Sequence, residues 1–316
     1  MEGADERGRR SDARTRNGTD VVVLGSANVD LVLGVTELPR PGETALAQRS
    51  ARACGGKGAN QAIAAARAGA RTSFLGAVGD DADGAVLRAG LCEAGVDLSA
   101  LRTVDAPTGV AVVLVDARGE NSIVVVPGAN ADTSSLGAAE LALVRSARVL
   151  LGQLETPPAR FAQAARAARA HGVRVLLNAA PGDRALTDEL WPLLDVLIVN
   201  EHEAAALARR AADAAADELL ARVPCLVVTL GPRGALIATR DRGRVRVPAP
   251  EPARVVDTTG AGDAFCGVLA ASLAEGEELA GAVARANAAG SLAVEHAGAA
   301  PTMPSAEAIA ARLARG

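Results

Sequence analysis

Short apolar runs, recurring along the chain with helical stretches between them, constrain its fold more than any other feature. Residues 20–24, 148–151, 173–178, 196–199 and 225–230 are rich in Val, Leu and Ile and read as buried strands. Between the later runs lie Ala-rich stretches of helical periodicity, at 158–170, 201–209 and 212–222. Strand–helix alternation of this kind argues for a parallel sheet covered by helices on both faces. Further helices are expected at 58–70, 84–93, 267–273 and 279–295, and further strands at 31–35 and 72–78. Two stretches, about 32–52 and 108–127, read differently. The runs 110–115 and 122–126 flank Asp116-Ala-Arg-Gly-Glu120 and form a hairpin pattern. These stretches suit a small sheet projecting from the α/β body as a lid. Edge strands of the main sheet are the alternative.

Composition narrows the classes of function. The chain has 316 residues, 49% of them hydrophobic but only 1% aromatic, with no Tyr, one Trp and three Phe. The core is therefore Ala, Val and Leu, and a nucleobase pocket would be mostly aliphatic. Few aromatic platforms and a net charge of −4 speak against nucleic acid as a partner. No apolar run has the length of a membrane span. Cys54, Cys92, Cys225 and Cys266 are widely separated and suit a reduced, cytoplasmic protein. His171, His202 and His296 do not pair at zinc-ligand spacing. Residues 1–19, rich in Arg, Asp and Gly, read as a disordered tail.

Polar clusters sit where strands end, the place at which open α/β sheets bind ligands. In Gly25-Ser26-Ala27-Asn28-Val29-Asp30, Asn28 and Asp30 are two apart and share a face of extended chain. An amide and a carboxylate side by side suit hydroxyl groups, although a strand-ending Asx turn has the same composition. Gly55-Gly56-Lys57-Gly58-Ala59-Asn60-Gln61 opens a helix with three glycines around a Lys. It is not a Walker A loop, because Gly58 stands where Ser or Thr is needed. Gln153-Leu154-Glu155 follows the run 148–151 and brings Glu155 to a strand end. Asn200-Glu201-His202-Glu203 places Asn200 and Glu203 at a helix start. They could hold a hydrated Mg²⁺, or form a plain acidic N-cap. Thr229-Leu230-Gly231-Pro232-Arg233-Gly234 is a strand end followed by a glycine turn whose backbone could approach a nucleotide.

The run Asp257-Thr258-Thr259-Gly260-Ala261-Gly262-Asp263 feeds an apolar helix. Unpaired first-turn N–H groups and the helix dipole make such a start an anion site. Asp263 is then an acid beside an anion, which either caps the helix or has chemistry to do.

Together these motifs resemble the ribokinase branch of the PfkB family of carbohydrate kinases, from about Asp20 to Pro304. The resemblance rests on GSANVD at 25–30, PGET at 41–44, GGKGANQA at 55–62, GDD at 79–81, TGVA at 108–111 and GAN at 128–130. It continues with QLE at 153–155, NEHE at 200–203, TLGPRG at 229–234 and DTTGAGD at 257–263. It implies a three-layer α/β/α core over residues 20–316, with a mainly parallel central sheet and a small β-sheet lid. It implies that ATP phosphorylates D-ribose at O5, with Mg²⁺ as cofactor and K⁺ as activator, in a homodimer joined through the lid. Asn28, Asp30, Gly56, Lys57, Asn60 and Glu155 would take the sugar. Asn200, Glu203, Thr229, Gly231, Gly234, Gly262 and Asn287 would take the nucleotide. Gly260, Ala261 and Gly262 would form the anion hole and Asp263 would be the base. Asp257, Thr259, Ala293, His296, Gly298 and Thr302 would surround the monovalent cation, mostly through carbonyls. Asn178-Ala179-Ala180-Pro181 stands where the family often has Asn-Pro-Ala-Pro. Alternatives are a kinase for deoxyribose, fructose or adenosine, and a non-catalytic sugar-binding protein on the same fold.

Overall fold

The computed structural model describes residues 18–182, 186–210 and 212–315. Most of the expected tail, residues 1–17, lies outside the described residues; Thr19 is within them, its hydroxyl 3.1 Å from that of Ser73.

The strands are β1 (Val21–Leu24), β2 (Asn28–Gly34), β3 (Arg49–Gly55), β4 (Thr72–Leu75), β5 (Ala77–Gly79), β6 (Arg102–Val104) and β7 (Gly109–Val115). They continue as β8 (Asn121–Val126), β9 (Val149–Gly152), β10 (Arg174–Asn178), β11 (Val196–Asn200), β12 (Cys225–Thr229), β13 (Ala235–Thr239) and β14 (Gly243–Val247). The helices are α1 (Lys57–Arg67), α2 (Ala82–Glu93), α3 (Ala138–Ser146), α4 (Pro158–Arg169) and α5 (Glu201–Ala208), then α6 (Ala212–Arg222), α7 (Ala261–Glu275), α8 (Leu279–Ala293) and α9 (Ala306–Leu313).

The main sheet has eight strands in the order β14-β13-β12-β11-β10-β9-β1-β4. It is parallel from β12 to β4, and β13 and β14 are antiparallel. Its apolar runs are buried on both faces, and alternate residues feed two cores. Val21, Val23, Leu151, Ile198 and Val227 join the core under α1, α2, α7 and α8. Val22, Leu24, Leu150, Leu197 and Val228 join the core under α3, α4, α5 and α6. Strand order reverses between β9 and β1, so the crevice at their carboxyl ends is the switch point of the sheet.

A core poor in aromatics is closed by bringing helix backbones together. A Cβ on Gly267 of α7 would lie 2.4 Å from the Gln61 carbonyl and 2.6 Å from the Ala64 Cβ of α1. Gly267 stands one turn after Asp263, so the same close approach sets the start of α1 beside that acid.

A separate four-stranded sheet has the order β3-β2-β7-β8. Its first strand begins at Asn28, earlier than the expected start near residue 32, so Asn28 and Asp30 ride on this sheet. The expected single strand at 72–78 is two strands. Gly76 breaks it, leaving β4 in the main sheet and β5 paired with β6. The hairpin of β13 and β14, and helices α3 and α9, have no counterpart among the expected elements.

Candidate active site

Side chains from the carboxyl ends of the strands and from the starts of α1, α5 and α7 converge on one cavity of about 230 Å³. Lys57, Asn200, Glu203, Thr229, Gly260, Gly262 and Asp263 all line it, together with Asn178, Thr258 and Cys266.

Gly260 starts α7 in the left-handed region, at φ 79°, where a side chain is strained. A Cβ there would also lie 2.8 Å from the Cα of Ala299. The Ala261 N–H is turned back on the Thr258 carbonyl at 3.3 Å, and the first bond inside the helix runs from Ala264 N–H to Gly260 O at 2.8 Å. The amides of Gly262 and Asp263 precede that bond and stand at the positive end of the helix dipole.

Asp263 is 8% exposed. Its Oδ2 accepts from Asn60 Nδ2 at 3.0 Å and its Oδ1 from Gln61 Nε2 at 2.9 Å. Burial pushes its carboxyl above the ordinary range, while the Lys57 charge and these two amides work the other way. The half-buried Lys57 is held above its usual value, first by Asp263 and against its own burial, with Glu155 and Glu203 adding to the effect. It is an ammonium at neutral pH.

Of the residues expected to take a sugar, Asn28 and Glu155 are held by side chains. Asn28 Oδ1 accepts from Asn130 Nδ2 at 2.7 Å, and Asn130 also bridges the Ala27 N–H at 2.9 Å and carbonyl at 3.0 Å. Both strand neighbours opposite Asn28 are glycines, Gly55 in β3 and Gly109 in β7. Cβ atoms there would lie 2.2 Å from Asp30 Oδ2 and 2.2 Å from Asn130 Nδ2. The glycines leave room for the polar pair. Glu155 Oε2 accepts from Ser26 Oγ at 2.5 Å and from Lys57 N–H at 3.1 Å. Asp30 has its carboxyl pushed up to about 6 by burial, then by the neighbouring charges of Glu155 and Asp263, with Lys57 opposing.

On the other side, Asn200 caps α5 in a reciprocal box. Glu203 N–H donates to Asn200 Oδ1 and Asn200 N–H donates to Glu203 Oε2, both at 2.8 Å. The plain N-cap reading is thus realised, yet both residues still line the cavity. Burial raises the Glu203 carboxyl, with the Asn200 amide and Lys57 opposing. Gly231 and Gly234 lie in the turn after β12, with φ 58° and 87°. A Cβ on Gly234 would sit 2.1 Å from the Val247 carbonyl, so this glycine serves the packing of β13 on β14. Asn287 is buried, and its Nδ2 donates to the carbonyls of Val247 at 2.9 Å and Pro248 at 3.3 Å.

Behind the Gly260 turn, Asp257 accepts from the N–H groups of Thr259 and Gly298, each at 2.9 Å. Burial raises the Asp257 carboxyl, but these donors outweigh it and hold it below the usual value. Thr302 Oγ1 lies 2.8 Å from the Ala299 carbonyl and 3.1 Å from that of Gly298. The Ala293 carbonyl accepts from His296 N–H at 3.4 Å, and His296 is exposed.

Gln61, Gln153, Asn130, Asn178 and Ser26 were not among the expected site residues. Each lies inside a quoted stretch whose other residues drew the expectation, and a Gln inside an Ala-rich helical run is the one local signal.

The model of the pfkB family carbohydrate kinases matches residues 18–306. The chain belongs to this family. The ribokinase of Haemophilus influenzae is 36% identical over 296 residues, covering 90% of this chain and 95% of that one. The bifunctional ribokinase/ribose-5-phosphate isomerase A of Fructilactobacillus sanfranciscensis is 39% identical over 301 residues, 92% of this chain, and the chain spans 55% of that longer protein. The solved structure of Arabidopsis thaliana ribokinase complexed with ribose and ATP matches with a TM-score of 0.89 at 34% identity, covering 94% of this chain and 99% of that one. Among the described residues no helix of this pfkB family chain is long and apolar enough to cross a membrane.

Proposed function

We propose that this chain is a ribokinase that transfers the γ-phosphoryl group of ATP to the O5 hydroxyl of D-ribose. One observation carries the reading. Asp263, buried and held by Asn60 and Gln61, stands in the first turn of α7, in a cavity that Asn200, Glu203 and Thr229 also line. A base and an anion-binding helix start therefore meet at one point, with the groups proposed for the sugar hydroxyls on one side and Asn200, Glu203 and Thr229 on the other.

Phosphoryl transfer asks the protein for positioning and charge stabilisation more than for covalent chemistry. Asn28, Asp30, Asn60 and Glu155 bind the sugar hydroxyls and aim the primary one at Asp263. Asp263 takes its proton as the oxygen attacks. At the expected anion hole of Gly260, Ala261 and Gly262, the Ala261 N–H is spent on the Thr258 carbonyl, so the Gly262 and Asp263 amides, joined by the ammonium of Lys57 that was expected on the sugar, face the charge that grows on the phosphoryl oxygens. Thr229 and the Gly231 turn lie along the nucleotide, and Asn287 acts indirectly by fixing residues 247–248.

The donor set fits Mg²⁺. Glu203 has one carboxylate oxygen committed to the α5 cap, and among the described residues it forms no ion pair. No group of three or more His, Cys, Asp or Glu forms a metal cage among the described residues. Glu203 would hold Mg²⁺ through water, with ATP phosphates as the other ligands. When bound, Mg²⁺ draws charge off the transferring phosphoryl group.

Asp257, Thr259, Ala293, His296, Gly298 and Thr302 would hold K⁺ behind the anion hole, their contacts fixing the Gly260 turn. The four-stranded sheet would act as the lid. Its edge strand β8 exposes Ile123, Val124, Val125 and Val126 in sequence, an apolar strip that a second copy would cover to make a homodimer. A cytoplasmic location suits an ATP-using enzyme with four free cysteines.

An ADP-release assay over ribose, deoxyribose, fructose and adenosine, in K⁺ and in Na⁺, tests the reading. Ribose should be the best acceptor and K⁺ should raise the rate. Preference for another acceptor would reassign the substrate. No transfer to any of them would leave a sugar-binding protein.

A further inference from the structure

Behind Asp263 lies a chain of amides that the steps above do not use. Gln61, on α1, is fully buried. Its Nε2 donates to Asp263 Oδ1 at 2.9 Å and to Asn178 Oδ1 at 3.1 Å. Its Oε1 accepts from Gln153 Nε2 at 2.6 Å. Asn178 Nδ2 in turn lies 3.4 Å from the Ile198 carbonyl, which leaves its oxygen facing Gln61. All of Gln61's amide capacity toward these partners is spent in one orientation. An ionised carboxylate only accepts, and Gln153 supplies an N–H to the other end. The end of Gln61 that meets Asp263 is therefore a donor.

The two oxygens of Asp263 have different surroundings. Oδ2 meets Asn60, in the wall assigned to the sugar, and Oδ1 meets Gln61 in the core. We propose that Gln61 is the positioning residue of the base: locked by Gln153 and Asn178, it keeps Asp263 ionised and turns Oδ2 toward the acceptor hydroxyl. This inference rests on the reading of Asp263 as the base.

The charged and titratable groups around Asp263 make such help necessary. Lys57 of α1 favours the carboxylate, whereas Glu155 after β9, Glu203 of α5, Asp30 of β2 and Cys266 of α7 surround it without doing so. Burial opposes ionisation most of all, and one lysine faces several acids. A locked N–H donor favours the charged form without adding charge to the pocket. Losing it raises the proton affinity of Asp263, so the acid limb of the rate profile moves to higher pH.

The test is the pH profile of kcat/KM for ribose in the full chain, with ATP and Mg²⁺ saturating. Gln61→Met should move the acid limb up by about one pH unit, a tenfold change in proton affinity. The rate above the limb should stay within about fivefold of the parent, and ribose affinity within about threefold. Gln153→Met, which frees the far end of Gln61, should move the limb the same way by about half as much. The Oε1 of Gln153 is buried without a partner, so this second variant should fold even if the first does not. A limb that stays in place in the folded variants overturns the proposal, whatever rate is lost. Asp263→Asn separates the two readings. If it is inactive while the limbs are unmoved, only the role of Gln61 falls; if it keeps turnover, the base assignment itself falls.

Discussion

The two sides of the proposed site, the cavity and the residues around it, are built by different means. On the side proposed for the sugar, several working side chains are held by other side chains. Asn28 is gripped by Asn130, Glu155 by Ser26, and Asp263 by Asn60 and Gln61. On the nucleotide side, main-chain turns and caps do the work: the Asn200–Glu203 box, the Gly231 turn, and Asn287 spent on the carbonyls of Val247 and Pro248. On the proposed reading, the difference follows from what is bound. Hydroxyls are told apart by the placement of single donors and acceptors, whereas a polyphosphate answers to helix starts and backbone amides. Point changes should therefore hurt the sugar side more, and in ways that separate KM from kcat.

The largest effect belongs to the acid shared by both halves. Asp263→Asn should lower kcat about a thousandfold, the middle of the range for losing a general base. Ribose binding by calorimetry should change little, because an amide still fills the site. Loss of binding in step with turnover would make Asp263 a sugar ligand first. Next comes Gly55→Ala. Its methyl would sit 2.2 Å from Asp30 Oδ2, so the carboxylate must move. The KM for ribose should rise about a hundredfold with the KM for ATP nearly unchanged. Equal damage to both would deny the separation of the two halves.

Asn28, Asp30, the GGKGAN loop and DTTGAGD could be singled out because each lies in a contiguous motif whose residue types suggest chemistry, and the structure brings Lys57 and Asp263 of two of these motifs to one cavity. The apolar runs were legible as buried strands for the same local reason, and their successive residues feed the two cores on either face of the sheet. What holds the motifs in place was hidden. Asn130 meets Asn28 from 102 residues away and Gln61 meets Asp263 from 202, separations that no periodicity reports. Gly76 looked like an interior residue of one strand, and only the tertiary pairing of β5 with β6 makes it a break. Gly234 looked like a nucleotide turn. Its crowding against Val247 belongs to the β13–β14 hairpin, which the short polar run around residues 240–243 did not announce.

Smaller effects test the same contrast. Asn130→Ala removes the grip on Asn28 and on both polar groups of Ala27, and should raise the ribose KM about tenfold with kcat within threefold. Asn287→Ala, the matching change on the other side, should raise the ATP KM only about threefold, since it acts through the backbone of 247–248. A larger effect than that of Asn130→Ala would mean that the nucleotide side also depends on side-chain placement.

The smallest effect is one of stability, and its sign is fixed by the shift at Asp30. The folded carboxyl titrates at about 6, against an ordinary value of 3.8. The folded state therefore binds this proton more tightly than the unfolded chain does. The stability it contributes is full below the ordinary value and is lost as pH rises through about 6. Above that, the unliganded protein carries a carboxylate that burial and the nearby Glu155 and Asp263 disfavour. Asp30→Asn should accordingly raise the melting temperature at pH 8 by roughly 2 °C. The gain corresponds to about 1 kcal/mol, because the half-buried group keeps access to water. It should vanish toward pH 4, where the parent is already protonated. Ribose should reverse the order at pH 8, stabilising the parent through hydroxyls that donate to the carboxylate and leaving the variant unmoved. A variant less stable than the parent at pH 8 without sugar would show that Asp30 is satisfied within the protein. The sugar side would then be held wholly by its own side chains, and the contrast with the nucleotide side would be sharper still.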